Sequence, residues 1–441
     1  MMKAILLTIV CASACRDKEV AERQMLAVRA LDDGGALVIW REHSLKHSIA
    51  RLGTDARVQW SATLEGDAAL FFRPDDGLVI GNGRVSVRTH RGDDAGLYLQ
   101  VESFSLLDGS RWTARLGVVP DEGDLPRMPG YVVGGQLYEA SVAFETDVRR
   151  DSLVTFDLGT GAEIRRVPLP FEPRRSVIGA NDVLLRGAAS DALVSASGDV
   201  RVLERGDGCV LEDRYWRLLQ SAPERYTLAT ADQPTSLSLD LGPGAVTLEH
   251  CARYREHFVL LLGRKPPDQR YRRELWVVRQ DGSVIGNVVD ATLPSQMAAT
   301  LPRFVPILRE SPVAELVMID LQEGRVAWQR PVEASVILGD PFRSGDRWYI
   351  TNKSAQPELA VFDGTTGRVI AVRRLEAKHG IEPPKPNNVS EKGLWLHRGG
   401  WQRGSTLVSV LDPVTLALRA GSPVQVVGVS PKSVFSSLPG N

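Results

Sequence analysis

Histidine is the residue type in this chain best suited to acid–base catalysis or metal binding. The 441 residues include seven histidines: His43, His47, His90, His250, His257, His379 and His397. His43 and His47 stand between strand-like runs, where residues four apart lie about 13 Å from each other, too far to share a metal ion. No His-Glu-x-x-His, Gly-x-Ser-x-Gly or Walker motif occurs. We therefore predict solvated loop histidines, no metal, no cofactor and no catalytic residues, although a triad assembled only in space stays open.

The first fifteen residues have the pattern of an export signal. Lys3 precedes an apolar run at 4–10 that is too short to span a bilayer. The small residues before Cys15 resemble the lipobox of bacterial lipoproteins, although Ala12 stands where leucine is usual. The resemblance implies a signal peptide at 1–14, lipidation of Cys15 and a lipidated tether at 15–24. A plain signal peptide is the alternative.

Two cysteines then remain for the folded part, Cys209 and Cys251. Outside the cytoplasm two leftover thiols tend to pair, so we predict a disulfide between them. Its loop of about 40 residues would stabilise the fold by roughly 3–4 kcal/mol. Two alternatives stay open: a metal site with His250 and His257, whose spacing matches no known zinc motif, and two free buried thiols.

A short motif recurs about every 45 residues, which is a propeller-like period. Each copy is an apolar run, a turn containing Asp or Gly, and a second apolar run, the pattern of a β-hairpin. The turn centres lie near residues 55, 109, 161, 198, 244, 282, 324, 367 and 413. Another pair of short runs stands between successive hairpins. The sequence therefore predicts four strands per repeat, as in a propeller blade.

The best copies of this motif resemble the repeat of pyrroloquinoline-quinone-like β-propellers, the quinoprotein-dehydrogenase-like superfamily. The residues that carry the resemblance are Asp157, Gly161, Asp320, Gly324, Trp328, Asp363 and Gly367, with Trp60 and Trp112 near the position of Trp328. The resemblance implies that these tryptophans pack between adjacent blades. We predict an all-β propeller of four-stranded antiparallel blades over residues 25–441. About 405 residues at about 50 per blade give eight blades, with seven as the alternative.

Composition and missing motifs limit the function. Lys and Arg number 53 against 54 Asp and Glu, so no net charge attracts nucleic acid. The adjacent cysteines found beside the quinone in the related dehydrogenases are absent. We predict a non-catalytic scaffold or protein-binding propeller at the bacterial cell envelope, lipid-anchored on a periplasmic or surface face such as that of the outer membrane. Its partner would be another envelope protein or an extracellular ligand.

Two alternatives to this prediction stay open. The chain could be a secreted hydrolase or lyase acting on polysaccharide, or a ligand-capture or sensor module. A basic cluster, Arg264-Lys265 with Arg270–Arg273, is predicted to be a solvated rim or a contact for an anionic partner.

Overall fold

The structure is a computed structural model of an all-β protein. It describes residues 22–421, apart from positions 43, 45, 69–77, 94–95, 121–125, 127, 129, 146–147, 179–182, 188–189, 196, 205–207, 212–213, 231–235, 266, 268–269, 290, 293–299, 310–313, 333–337, 353–356, 376–383, 398–400 and 404–407. Cys11, Cys15 and the predicted signal peptide lie outside the described residues. The first strand begins at Glu22, within the predicted tether.

The strands fall into consecutive antiparallel sheets along the chain. Blades 1 to 3 contain β1 (Glu22–Ala30), β2 (Ala36–Glu42), β3 (His47–Leu52), β4 (Val58–Thr63); β5 (Asp67–Ala68), β6 (Leu78–Gly81), β7 (Arg84–Asp93), β8 (Gly96–Ser105), β9 (Arg111–Val119); and β10 (Tyr131–Val133), β11 (Gln136–Glu145), β12 (Val148–Asp157), β13 (Glu163–Leu169). Blades 4 to 6 contain β14 (Arg175–Ile178), β15 (Val183–Arg186), β16 (Ser190–Val194), β17 (Val200–Glu204); β18 (Gly208–Leu211), β19 (Arg214–Gln220), β20 (Arg225–Thr230), β21 (Ser236–Asp240); and β22 (Ala245–Tyr254), β23 (His257–Lys265), β24 (Arg272–Val278), β25 (Val284–Val289).

Three further sheets complete the ring. Blades 7 to 9 contain β26 (Ala291–Thr292), β27 (Phe304–Arg309), β28 (Glu315–Asp320), β29 (Arg325–Pro331); β30 (Phe342–Ser344), β31 (Arg347–Asn352), β32 (Glu358–Asp363), β33 (Val369–Arg374); and β34 (Leu394–His397), β36 (Val408–Leu411), β37 (Leu418–Gly421). A 3₁₀ turn at Pro386–Asn388 precedes blade 9, and β35 (Trp401–Arg403) leaves that blade to pair with β1.

The predicted count of eight blades, with seven as the alternative, is wrong, because the described residues form nine sheets. Eight of the nine predicted turns do join the last two strands of a blade. The ninth, near residue 244, instead connects β21 of blade 5 to β22 of blade 6. Blade 5 still has its own outer hairpin between β20 and β21. The error came from assuming about 50 residues per blade, when the observed spacing of about 45 already gives nine.

Each full blade has strands A to D in chain order, with strand A towards the ring axis and strand D at the outer edge. Because neighbouring strands are antiparallel, the A–B and C–D turns lie at one end of every blade. The B–C hairpins and the connections from one blade to the next lie at the other end. We call these ends the C–D face and the B–C face.

The repeated aspartates shape the turns of the C–D face. Asp157 Oδ1 accepts hydrogen bonds from the backbone N–H and the hydroxyl of Thr160, both at 2.8 Å. In blade 8, Asp363 Oδ1 accepts from the N–H groups of Thr365 and Thr366. The bonds from Thr160 lower the pKa of Asp157, because they stabilise the charged carboxylate.

The residue that ends each of these turns has a positive φ. Gly161 has φ 76°, and a Cβ there would lie 2.5 Å from the ring of Trp112, so only glycine fits both the backbone and the neighbouring blade. In blade 9 this place belongs to Leu416, with φ 57° and a fully buried side chain. Burial there offsets a backbone conformation that costs a non-glycine residue about 1–2 kcal/mol.

Tryptophans on strand D join consecutive blades. Trp60 Nε1 donates to Leu106 O at 3.1 Å, in the C–D turn of the next blade. Trp112 donates to Leu158 O at 3.0 Å in the same way. Each indole also packs against an aromatic ring on strand C of that next blade, with centroids 6.1 to 6.3 Å apart. The contact satisfies a carbonyl and buries the ring, so it fixes the angle between blades.

The contact recurs with other residues elsewhere in the ring. Between blades 7 and 8, Trp328 Nε1 donates to Gly367 O at 2.9 Å. Between blades 3 and 4 an arginine replaces the indole, and Arg165 donates to Ser197 O at 3.1 Å. The same junction therefore tolerates two chemically different donors.

Blades 1 and 9 close the ring through side-chain packing and one short strand pairing. Trp395, Val408 and Val410 of blade 9 pack with the apolar side chains of blade 1 in one core cluster. Asn388 Nδ2 donates to Val28 O at 3.1 Å, across 360 residues of sequence. β35 pairs antiparallel with the start of β1 over three residue pairs.

The disulfide between Cys209 and Cys251 is present in the structure and joins strand A of blade 5 to strand A of blade 6. The two Cα atoms lie 5.9 Å apart, and both side chains are buried within the core cluster that these blades share. The bond therefore fastens the inner edges of two neighbouring blades.

Candidate binding faces

The C–D face carries most of the exposed aliphatic side chains. Ten large hydrophobic residues are exposed among the described residues, and seven of them lie in a C–D turn or in the first three residues of a strand D. These seven, which we call the C–D rim, are Val58, Leu107, Ile164, Val202, Val284, Ile370 and Leu418. Leu107 is the most exposed, at 85%. The rim places one aliphatic side chain on each of seven blades.

The B–C face contains charged side chains that are paired with one another. In blade 7, Arg309 and Glu315 face each other across the B–C hairpin with an N–O distance of 3.0 Å. In blade 3, Arg149 pairs with Asp151 at 3.0 Å within strand C, at the same end of the blade. Pairs of this kind neutralise the hairpin ends and hold them in one conformation.

A buried ion pair joins blades 2 and 3 near the middle of strand B in each blade. Arg88 on strand B of blade 2 donates to the Glu139 carboxylate on strand B of blade 3. The same guanidinium donates to Pro126 O and Met128 O, both at 2.9 Å, in the connection between the two blades. Because both charged groups are buried and hydrogen-bonded, removing either would leave the other uncompensated.

His47 lies at the junction of blades 1 and 2. It is buried on strand C, so the prediction of a solvated loop histidine is wrong for this residue, and it is wrong as well for His90 and His397, which are buried on β7 and β34. Its Nδ1 lies 3.0 Å from Asp67 Oδ1 and 3.2 Å from the Ala68 N–H. Burial lowers the pKa of His47, although the nearby Asp67 opposes this shift. The neutral ring accepts the Ala68 N–H, so it fixes the first strand of blade 2 to blade 1.

Glu102 belongs to the same junction and is completely buried. Its Oε1 accepts the Glu65 N–H and the Thr89 hydroxyl, both at 2.9 Å. Its Oε2 makes no hydrogen bond, and the nearest cation, Arg111, is 3.6 Å away. Burial raises the pKa of Glu102. Because the carboxyl has no contact with solvent, it stabilises the junction and does not form an open catalytic site.

The basic cluster predicted from the sequence lies on the B–C hairpin of blade 6. Much of its charge is paired: Arg264 and Arg272 contact the buried Glu274, at 3.5 and 2.6 Å. Arg273 pairs with Glu249 at 2.9 Å. The hairpin still contains more basic than acidic residues, and Lys265 at its start is exposed.

The repeat residues named from the sequence have structural positions on the C–D face. Gly324 and Gly367 have φ of 60° and 69°. Asp320 pairs with Arg303 at 2.6 Å; burial raises its pKa, but this hydrogen bond and others outweigh burial and leave the pKa below its usual value. Neither these residues nor the tryptophan junctions meet the charged clusters of the B–C face.

Sequence reasoning missed the buried polar groups. Arg88, Glu139 and Glu102 are charged residues in the interior of strands and are buried, so each position needs a polar partner. The partner itself could not be identified, since it lies on another blade. Among the described residues, no three His, Cys, Asp or Glu side chains are arranged to hold a metal ion. Nor does this part of the chain contain a helix long and apolar enough to cross a membrane.

Fold and faces together define the described residues as a nine-bladed β-propeller with exposed aliphatic side chains along the rim of one face. No protein-family model matches the chain, and no curated protein matches it. Solved structures similar to it include BamB from Moraxella catarrhalis, with 13% identity and a TM-score of 0.40 over 87% of this chain and 92% of that one.

Two further structures show the same level of similarity. Dihydro-heme d1 dehydrogenase NirN has 11% identity and a TM-score of 0.41 over 81% of this chain and 74% of that one. The β-propeller domain of the Trilobed protease from Pyrococcus furiosus, described as having an open velcro topology, has 10% identity and a TM-score of 0.39 over 76% and 94%. Similarity at this level carries no inference about activity or partners.

Proposed function

We propose that this chain is a non-catalytic propeller of the bacterial cell envelope, lipid-anchored through Cys15, that binds another envelope protein through its C–D rim. The observation that carries the proposal is the one-sided distribution of exposed aliphatic side chains. Scattered exposed residues are normal on a protein surface. A set that repeats at the same end of seven blades instead favours a binding function for that end.

Two other features support the parts of this proposal. A disulfide between Cys209 and Cys251 fits an oxidising compartment outside the cytoplasm, in agreement with the signal-like first fifteen residues. The tryptophan junctions of Trp60, Trp112 and Trp328 support a relationship with pyrroloquinoline-quinone-like propellers. Rigid blades with exposed rims suit a scaffold, because little ordering is needed when the partner binds.

The binding part is tested by affinity capture from detergent-solubilised envelope. Leu107→Glu and Val284→Glu place charges on the C–D rim, and both positions are exposed, so the fold is retained. We expect this double variant to lose at least tenfold of the captured partner. The matched control, Val148→Glu with Leu219→Glu, changes two exposed positions of the B–C face and keeps full capture. Equal capture by the rim variant and the wild type would refute the role of the rim.

The anchoring part is tested by mass spectrometry and fractionation of the natural chain and of Cys15→Ser. We expect the mature wild-type chain to begin at an acylated Cys15 and to sediment with membranes. The variant should be found in the soluble fraction of the envelope. An unmodified Cys15 in a mature membrane-bound chain would refute the anchor.

A further inference from the structure

We infer that the B–C face of the propeller lies against an anionic lipid surface, so that the C–D rim points away from the membrane. This inference rests on the lipid anchor at Cys15 in the proposed function. It goes further, because the anchor alone does not say which face of the ring meets the bilayer.

The position of the first described strand indicates which face lies near the anchor. Glu22 starts strand A of blade 1. In the strand register, its neighbour Arg23 lies opposite Glu42, the last residue of strand B before the B–C hairpin. The backbone of Glu22 lies opposite that of Arg403 on β35, in the connection between β34 and β36 of blade 9. Both pairings place the entry of the chain at the B–C face.

The length of the tether limits how far the start of β1 can lie from the lipid at Cys15. Seven peptide steps separate Cys15 from Glu22, which gives at most about 25 Å when fully extended. The average end-to-end distance of a flexible chain of that length is only about 15 Å. The bilayer surface must therefore lie within about 25 Å of the B–C face at blade 1.

The depth of the blades decides between the two faces. Strand A of blade 1 (Glu22–Ala30), which directly follows the tether, itself spans about 27 Å from the B–C face to the C–D face. A tether of at most about 25 Å cannot pass along that depth and still bring the C–D face onto the bilayer. The B–C face is the one that the anchor can hold against lipid.

Blade 6, which lies across the ring from blade 1, has a basic segment on the same B–C face. Residues 264–274 of blade 6 contain five basic and two acidic side chains, and with Glu249, the partner of Arg273, the cluster has a net charge of about +2. Tyr271 in this segment is 51% exposed, and tyrosine is a preferred side chain at membrane interfaces. Each basic side chain near an anionic bilayer raises partitioning roughly fivefold. Blade 6 therefore provides a second contact, across the ring from the tether.

The orientation is tested with the full lipidated chain in phosphatidylglycerol–phosphatidylethanolamine vesicles that contain a headgroup-attached quencher. A fluorescent amino acid is placed singly at Val148 or Leu219 on the B–C face, and at Leu107 or Val284 on the C–D rim; all four positions are exposed. We expect at least threefold stronger quenching at the two B–C positions. Equal or stronger quenching on the C–D rim would overturn the inference.

The charge contribution is tested with full-length Cys15→Ser, which has no acyl anchor, by sedimentation with anionic and neutral vesicles. We expect binding to phosphatidylglycerol vesicles and at least a tenfold loss with Lys265→Glu plus Arg270→Glu. The control pair, Arg57→Glu with Arg325→Glu, reverses two exposed charges at the C–D face and should keep binding. Equal losses for both pairs, or no binding to anionic vesicles, would overturn the role of blade 6.

These experiments separate the two levels of the proposal. A mature chain that lacks an acyl group at Cys15 would refute the anchor, and the inferred orientation with it. A lipidated chain whose C–D rim is quenched would refute the orientation alone and leave the anchored scaffold intact.

Discussion

Breaking the disulfide between Cys209 and Cys251 should lower the stability of the whole ring by an amount that follows from its loop. The two residues are 42 apart in sequence. The loss of chain entropy on closing a loop of that length corresponds to about 4 kcal/mol at 25 °C. With roughly 2 cal/mol/K of unfolding entropy per residue over about 400 ordered residues, the melting temperature should fall by about 5 °C.

The measurement is a thermal unfolding curve with and without reductant, in a Cys11→Ala and Cys15→Ala background. We expect reductant to lower the melting temperature of that protein and to have no effect on a further Cys209→Ala and Cys251→Ala variant. Either single alanine variant should lose nearly as much stability as the double variant, because both remove the same bond.

Two results would refute this reasoning. Thiol titration of the oxidised, unfolded chain would find two free thiols if the bond did not exist. An unchanged melting temperature after complete reduction would show that the inner edges of blades 5 and 6 are held by packing alone. In the second case the core cluster shared by these blades, and not the bond, would hold the two blades together.

Four further changes test other contacts. Trp328→Phe should cost about 1–2 kcal/mol by leaving the Gly367 carbonyl without its donor, measured by urea unfolding. Asn388→Ala should cost about 1–3 kcal/mol and speed hydrogen exchange in the first strand of blade 1. Leu416→Gly should be destabilising, because the buried side chain is worth about 2–5 kcal/mol and the relieved backbone only about 1–2. Asp412→Asn should flatten the fall of melting temperature between pH 4 and pH 2, measured by circular dichroism.

The pH prediction follows from the direction of the shift. Burial raises the pKa of Asp412, but hydrogen bonds from Thr415, Val414 and Arg419 outweigh burial and bring it to about 2. A carboxyl whose pKa is lower in the folded chain stabilises it fully above the unfolded value near 4. That contribution disappears as the pH falls through about 2. Parallel pH profiles for the variant and the wild type would contradict this assignment.

Controls for two of the other changes, Leu416→Gly and Asn388→Ala, use matched exposed positions. Leu418→Gly removes a leucine that is 39% exposed, so it should cost less than Leu416→Gly. Asn287→Ala changes an exposed asparagine of β25 and should leave exchange in the first blade unchanged. A Leu416→Gly variant more stable than the wild type would mean that backbone strain outweighs packing at this turn.

The sequence predicts the repeated parts of this fold well, because each copy specifies its own local structure. Asp157 and Gly161 lie in one turn and interact within a few residues, so their spacing alone identifies the hairpin. The same holds for Asp363 and Gly367. The turn near residue 244 misled the prediction because Asp240 and Gly242 make a similar local bond in a connection between blades.

Interactions between blades are predicted much less well. Arg88 and Glu139 are 51 residues apart, and nothing in either strand names the other as its partner. His47 is predicted to lie in a loop because it stands between two strand-like runs, yet it is buried and contacts the first strand of the next blade. Burial of this kind depends on how two blades pack, which the composition of a single strand does not reveal.

The seam between the first and last blades sets the order in which the ring assembles. Neighbouring blades elsewhere are about 45 residues apart, but Asn388 and Val28 meet across 360. Closing that longer loop costs about 2 kcal/mol more in chain entropy than any other junction. We therefore expect the contacts of this seam to form last during folding. Local opening of the folded ring should begin at the same contacts.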